Sequence, residues 1–274
     1  MIKSLGVVPE LPDVEVYKRY VDSTALHQRV AAVTVHTPAL LDGCSVQALR
    51  TALTGTTLEA TRRHGKHLFL HLDSGQWMGL HFGMSGSLVY YKPNGPRSDY
   101  EYVQVNFEND YRLSLVMPRK LGRVRLLDNP DAFIASHDLG PDALGLDYDT
   151  FADRLTGRRG MIKSALMDQT VLAGLGNLYT DEVLFQAGLH PRTKVASLDD
   201  ALRQTLFDAL QEVLTTAIAC QADPDQLPAD RFLLPHRDGD KKDPYSGAAL
   251  QTVTVAGRTG YFSPVRQPGP EDPR

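Results

Sequence analysis

The chain has 274 residues, 42% of them hydrophobic, with 29 Lys+Arg against 33 Asp+Glu and a formal net charge of -4. That composition excludes a disordered or collagen-like chain and a globally basic nucleic-acid binder, while the length accommodates two domains, each with its own core. No apolar run approaches the roughly 20 residues that span a bilayer, and the leading MIKSLGVV is too short for a signal sequence, so a cytosolic protein is expected.

From Pro12 to about Ala25, Val14, Val16, Tyr17, Tyr20 and Val21 recur near helical spacing, with Asp13 and Glu15 in the first turn, which predicts an amphipathic helix. The runs VAAVTVH, TLEATRR, HLFLHL, WMGLHF, SLVYY, EYVQVNF, YRLSLV and RVRLL follow, separated by Gly, Pro, Asn and Asp. They predict a β-sandwich or barrel, interrupted by a short helix in SVQALRTAL with Ser45 as its N-cap. Near Gly140 the pattern turns helical, through YDTFADRLTG, MIKSALMDQ, LYTDEVLFQAG and SLDDALRQTLFDALQEVLTTAIAC. The Pro- and Asp-rich stretch QADPDQLPADRFLLPHRDGDKKDP reads as a loop, and ALQTVTVAGRTGYFSP as two strands joined by Ala256-Gly257-Arg258. Cys44 and Cys220, distant in sequence and in apolar surroundings, are expected to be buried free thiols.

Charge is unevenly spread. Arg62, Arg63 and Lys66 cluster in TRRHGKH, and Arg112, Arg119, Lys120, Arg123 and Arg125 follow one another without an acidic residue until Asp128. Such stretches are either solvated faces or places for a phosphate backbone. In DQTVLAGLGNLYTDEVLFQAGLHP a helix ends near Gln169, and Asn177 is placed to cap the next, with Asp181 and Glu182 early in it. The glycines Gly174 and Gly176 either turn a helical hairpin or let backbone amides at the positive end of the helix dipole meet a phosphate.

PELPDVE, RRHGKH, HFGMSGSL, PRKLGRV, LGPDAL, GLGN with its flanks and GRTGYFSP occur in order from Pro9 to about Gln267. In these motifs the chain resembles the formamidopyrimidine-DNA glycosylase and endonuclease VIII family of bifunctional base-excision repair enzymes. The resemblance implies an α+β multidomain fold: an N-terminal β-sandwich with flanking helices, a helix-two-turn-helix domain, and a C-terminal β-hairpin finger, with damaged DNA in the cleft between domains. The implied boundaries are 1–8 for an N-terminal extension, 9–139 for the β-sandwich, 140–230 for the helical domain and 231–274 for the finger and tail. A cytoplasmic, nucleoid-associated monomer is expected, with no membrane partner.

The resemblance also implies roles. Pro9 matches the N-terminal proline whose secondary amine attacks C1′ of the damaged nucleotide, expels the base and forms an iminium that primes β- and δ-elimination; Glu10 matches the proton-shuttling carboxylate. Lys66 matches a lysine on phosphate beside the lesion, counted with the catalytic residues. Asn177 and Arg258 match the other phosphate contacts, and Met84, Arg119 and Leu121 the wedge that fills the vacated base stack. Eight residues precede Pro9, however, which makes its nitrogen an amide. Translation from Val8 with loss of the initiator would expose it, as would proteolysis; otherwise the chain is a catalytically inactive binder of damaged DNA.

Four departures from the family pattern stand out. Its structural zinc spacing, Cys-x2-Cys, sixteen residues, Cys-x2-Cys, falls here on Asp243, Ser246, Ser263 and Arg266, which implies a zincless finger and no cofactor. Asp13 replaces the commoner Glu, and Met117 stands where an Asp often precedes the arginine loop, which would loosen that loop. Leu121 occupies a place that is aromatic in many relatives, so opposite-base preference is not legible.

Overall fold

A computed structural model describes residues 8–94 and 98–269, so the N-terminal extension lies, apart from Val8, outside the described residues. Two compact units emerge: residues up to Pro9 with Asp13–His137, and Glu10–Pro12 with Asp138 onward.

In the first unit α1 (Leu11–Thr24) carries Pro12 in its first turn, where a missing N–H is tolerated, and buries Val14, Tyr17 and Val21. The strands β1 (Val30–Val35), β2 (Leu58–His64), β3 (His67–Leu72), β4 (Trp77–His81), β5 (Ser87–Tyr91), β6 (Glu101–Phe107), β7 (Arg112–Val116) and β8 (Arg123–Leu127) form two four-stranded sheets, ordered β1-β6-β7-β5 and β2-β3-β4-β8. All pairings within them are antiparallel. Alternation explains the sandwich: Leu68, Leu70, Met78, Leu80 and Val124 of one sheet share a core with Val33, Leu88, Val103, Val105, Leu113 and Leu115 of the other. The helix α2 (Val46–Leu53) starts as expected, with the Ser45 side chain accepting from the Ala48 amide at 3.0 Å, and buries Leu49 and Leu53. A further helix, α3 (Pro130–Ser136), is capped by Asn129 and lays Phe133 edge-on against Phe69 and His67.

The second unit is built on α4 (Tyr148–Leu155), α5 (Ile162–Met167), α6 (Asn177–Gln186), α7 (Asp200–Ala219) and α8 (Leu234–Arg237). Leu206, Leu210, Val213, Leu214 and Ala217 of α7 recur every three or four residues and pack on Val183, Leu184 and Phe185 of α6 in one apolar core. The stretch read as a loop contains α8 and a 3-10 turn at Pro224–Gln226, because Phe232, Leu233 and Leu234 are drawn into that core. The final hairpin pairs β9 (Gln251–Val255) with β10 (Arg258–Phe262). Its turn is one residue shorter than expected: Ala256 and Gly257 both take positive φ, 49° and 71°, and Arg258 already pairs with Val255. Cys44 and Cys220 are free thiols, as expected, but half-buried rather than buried. Among the described residues no helix is long and apolar enough to cross a membrane.

Candidate functional site

Pro9 is buried and follows the exposed Val8. Glu10, only 1% exposed, belongs to the helical unit, and its carboxylate occupies the start of α6. Oε2 accepts from the amides of Gly176 at 2.7 Å and Tyr179 at 3.2 Å, and Oε1 accepts from that of Leu178 at 2.8 Å. First-turn amides have no partner within their own helix, so the carboxylate satisfies them and sits at the positive end of the helix dipole. Of the two readings of this turn, the one that leaves amides for a phosphate does not hold at the start of α6, where they are taken by Glu10. Nor is Asn177 the N-cap: Gly176 holds that place, and Asn177 is the first helical residue. The glycines serve close approach. Gly174 has φ +128° and its carbonyl accepts from the Leu11 amide at 3.0 Å, while a Cβ on Gly176 would lie 2.4 Å from Glu10 Oε1. Gln169 fixes this turn from both sides, accepting from the Gly174 amide at 3.0 Å and donating to the Leu175 carbonyl at 2.7 Å.

On the β-unit, Lys66 is half-buried in the two-residue turn between β2 and β3. It is near enough to His81 to help hold that imidazole down to about 4, after burial as the main cause and together with Arg125 and Arg123. His67 is held down to about 3 by burial and then by His81, Arg125, His137 and His64. The Gly83–Gly86 loop lies beside the turn after β7, where the Arg119 amide donates to Ser85 Oγ at 3.3 Å. This brings Met84, Arg119 and Leu121 together. Arg119 is exposed, Leu121 is 47% exposed and Met84 is half-buried. Met117 is buried in that turn, and its carbonyl accepts from the Lys120 amide at 3.0 Å. Three arginines of the basic stretches are engaged within the unit, Arg62 with Asp131, Arg63 with Glu15 and Arg125 with Asp42. The basic stretches are therefore a narrower phosphate surface than the sequence suggests.

In the helical unit Asn177 donates from Nδ2 to the Thr259 carbonyl at 2.9 Å, next to the exposed Arg258 on β10. Asp181 and Glu182, early in this helix, are fully buried. The helix is enclosed on all sides, and buried charge must then be paired. Asp181 meets Lys163 Nζ at 2.6 Å and Arg237 Nη1 at 3.5 Å, and accepts the Tyr261 amide at 3.0 Å; burial pushes its carboxyl up and Lys163 is the largest opposing influence. Glu182 accepts from the Leu233 and Leu234 amides and from Gln186 Nε2, and burial raises its carboxyl to about 7. Nothing in the residue pattern sets these charges apart from solvated ones.

The family model for the formamidopyrimidine-DNA glycosylase N-terminal domain matches residues 8–124, and that for the H2TH domain of the same enzymes matches residues 139–227. A Stutzerimonas stutzeri formamidopyrimidine-DNA glycosylase is 34% identical over 93% of this chain and 90% of its own length; one from Gluconobacter oxydans is 32% identical over 95% and 100%. The chain belongs to the formamidopyrimidine-DNA glycosylase family. Solved structures agree: Lactococcus lactis Fpg with DNA containing an abasic site superposes with a TM-score of 0.85 at 27% identity, covering 95% of this chain and all of that one. The same protein with DNA containing Fapy-dG gives 0.84.

Against the family's zinc spacing, the four matching residues converge with different chemistry. Ser263 Oγ donates to Asp243 Oδ2 at 2.5 Å, and Asp243 Oδ1 accepts the amides of Tyr245 and Ser246. Ser263 Oγ also accepts the Arg266 amide, and the Arg266 guanidinium points away, donating to the Phe185 carbonyl at 2.8 Å and the Gln186 carbonyl at 3.1 Å. One carboxylate, two hydroxyls and a guanidinium, with the carboxylate already accepting three hydrogen bonds, do not fit a tetrahedral structural zinc. Among the described residues no group of three or more His, Cys, Asp or Glu side chains is arranged to hold a metal ion.

Proposed function

We propose that this chain is a DNA glycosylase of base excision repair that removes oxidised bases and cleaves the resulting abasic site through the amine of Pro9. The observation that carries the reading is Glu10, adjacent to Pro9 and held by three amides at the α6 N-terminus. Fixed this way, the carboxyl group has one orientation from which to exchange protons with the opening sugar. In the chemistry, the Pro9 nitrogen forms a bond to C1′ as the C1′–base bond breaks, and the base leaves with a proton. The nitrogen lone pair then opens the ring C1′–O4′ bond, with a proton going to O4′, to give an iminium. Loss of the C2′ proton expels the 3′ phosphate, a second elimination expels the 5′ phosphate, and water hydrolyses the iminium to regenerate the amine.

Lys66, Asn177 and Arg258 hold the phosphates flanking the flipped nucleotide, and Met84, Arg119 and Leu121 occupy the space it leaves; clamping offsets part of the few kcal/mol that flipping costs. The protein works as a monomer without a metal.

A second reading has its own observation. In the sequence as given, the Pro9 nitrogen is an amide bonded to Val8 and has no nucleophilic lone pair, which fits a binder of damaged DNA without lyase chemistry. Incision of duplexes with one oxidised base separates the two. A chain starting at Pro9 is expected to nick the damaged strand, one retaining residues 1–8 to bind without nicking, and Glu10→Gln in the Pro9 form to lose glycosylase turnover. No incision by the Pro9 form on any oxidised base would leave only the binder.

A further inference from the structure

We infer that the finger is positioned by a metal-independent latch in which Arg266, at a former zinc-ligand position, ties the finger base to the C-terminal end of α6 and so places Arg258. The DNA-binding part of this rests on the function proposed above.

Strand β10 is fixed along α6 at successive points. Its second residue, Thr259, receives the Asn177 side chain at 2.9 Å, and its fourth, Tyr261, donates its amide to Asp181 at 3.0 Å. Beyond the strand, Arg266 supplies the last tie. Its fork reaches the carbonyls of Phe185 and Gln186, which lie at the end of the helix where carbonyls lack helical partners and where the dipole favours a cation. The guanidinium also lies 4.4 Å from the ring centroid of Tyr245 and 5.2 Å from that of Phe185, whose rings stack on each other. Gln267 completes the lock: its amide group accepts from the Ser263 backbone at 2.9 Å and donates to the Leu189 carbonyl at 2.8 Å, with no exposed surface.

The core of this arrangement is polar and buried, with Asp243 2% and Ser263 0% exposed, and their side chains bond to side-chain and backbone groups of the finger itself. A zinc ion would cross-link the two halves of the finger base through thiolates. Here the Asp243–Ser263 hydrogen bond makes the same link across twenty residues of chain, and Arg266 adds a tie to α6. Lysine cannot substitute, because a single ammonium does not span two carbonyls and stack at once.

Hydrogen exchange at the β10 amides, metal analysis, and affinity for a duplex carrying a tetrahydrofuran abasic analogue test the latch together. The wild-type protein is expected to hold no stoichiometric zinc and to bind equally with and without EDTA. Arg266→Ala and Arg266→Lys should both weaken duplex binding about tenfold and speed exchange at Thr259 to Phe262. Turnover of saturating abasic DNA should stay at the wild-type level, so the loss appears in KM and not in kcat. Replacing Asp243, Ser246, Ser263 and Arg266 together by Cys should create a zinc site, restore affinity when loaded, and make it EDTA-sensitive. Stoichiometric zinc in the wild type, unchanged exchange and affinity in both Arg266 variants, or a quadruple variant that gains nothing from zinc would overturn the latch. If the wild type fails to bind the duplex at all, the proposed function is lost, while exchange and metal analysis still decide the latch.

Discussion

The β-unit sets its candidate contact residues on turns, whereas the helical unit, beside the exposed Arg258, buries a set of charges. Lys66, Met84, Arg119 and Leu121 stand on turns, partly or largely exposed, and are steadied by backbone contacts beneath them such as the Arg119 amide on Ser85. In the helical unit Glu10, Lys163, Asp181 and Glu182 are buried, and their charge is used to hold the α6 N-terminus, β10 and the segment before α8 in place. Side chains on the turns keep their solvation until a ligand arrives, whereas Lys163, Asp181 and Glu182 position other elements and are desolvated and paired. The same residue type therefore means different things in the two regions.

Lysine removal breaks the comparison most sharply. Lys163→Ala leaves Asp181 buried with less compensation, and a loss of about 3–5 kcal/mol in denaturant unfolding is expected; Lys66→Ala should change stability by no more than about 0.5 kcal/mol yet weaken DNA binding. Equal stability costs would contradict the division. Next in size, Gly176→Ala pushes a methyl group against Glu10 Oε1, and about 1–3 kcal/mol of destabilisation is expected, together with loss of incision activity.

The two regions should also respond to pH with opposite sign. His67 and His81 are held below their ordinary value when folded, so the stability they contribute is present above about pH 6.5 and is lost as pH falls toward about 4 and 3. Each contributes a slope of up to roughly 1.4 kcal/mol per pH unit, and His67→Phe should remove its share. Glu182 is raised to about 7, so its contribution is fully present below its ordinary range near 4.5 and is lost as pH rises through about 7. Unfolding followed by hydrogen exchange reads the two regions separately, and parallel pH profiles would count against this assignment. The smallest expected effect is on salt dependence. Arg258→Ala should lower the slope of log affinity against log salt by about 1, whereas Asn177→Ala weakens binding with the slope nearly unchanged.

Much of the fold is legible in the sequence because alternation and turn residues suffice for the sandwich, and Ser45 announces its helix through a side-chain cap. The hairpin is legible too, although Arg258 belongs to the strand and not to the turn, since nothing in Ala256-Gly257-Arg258 reveals that Ala256 accepts positive φ. What escapes is the use of charge. Asp181 and Glu182 fit the pattern of acidic residues near a helix start, and only the enclosure of α6 by α5, α7 and β10 turns them into buried braces. The amides of GLGN likewise suggest an anion, but the anion proves to be Glu10, more than 160 residues away in sequence. At the finger, the zinc spacing shows which ligands are gone; that Arg266 turns to α6 is visible only in three dimensions.

The most direct test of the account is borohydride trapping on abasic-site DNA, with the protein's amino terminus read by mass in the same sample. A chain that starts at Pro9 is expected to give a covalent DNA adduct whose cross-linked peptide begins with that proline, and the chain that retains residues 1–8 to give none. Trapping by the chain that retains them, at an amine other than Pro9, or no adduct from the Pro9 form despite tight binding, would contradict it.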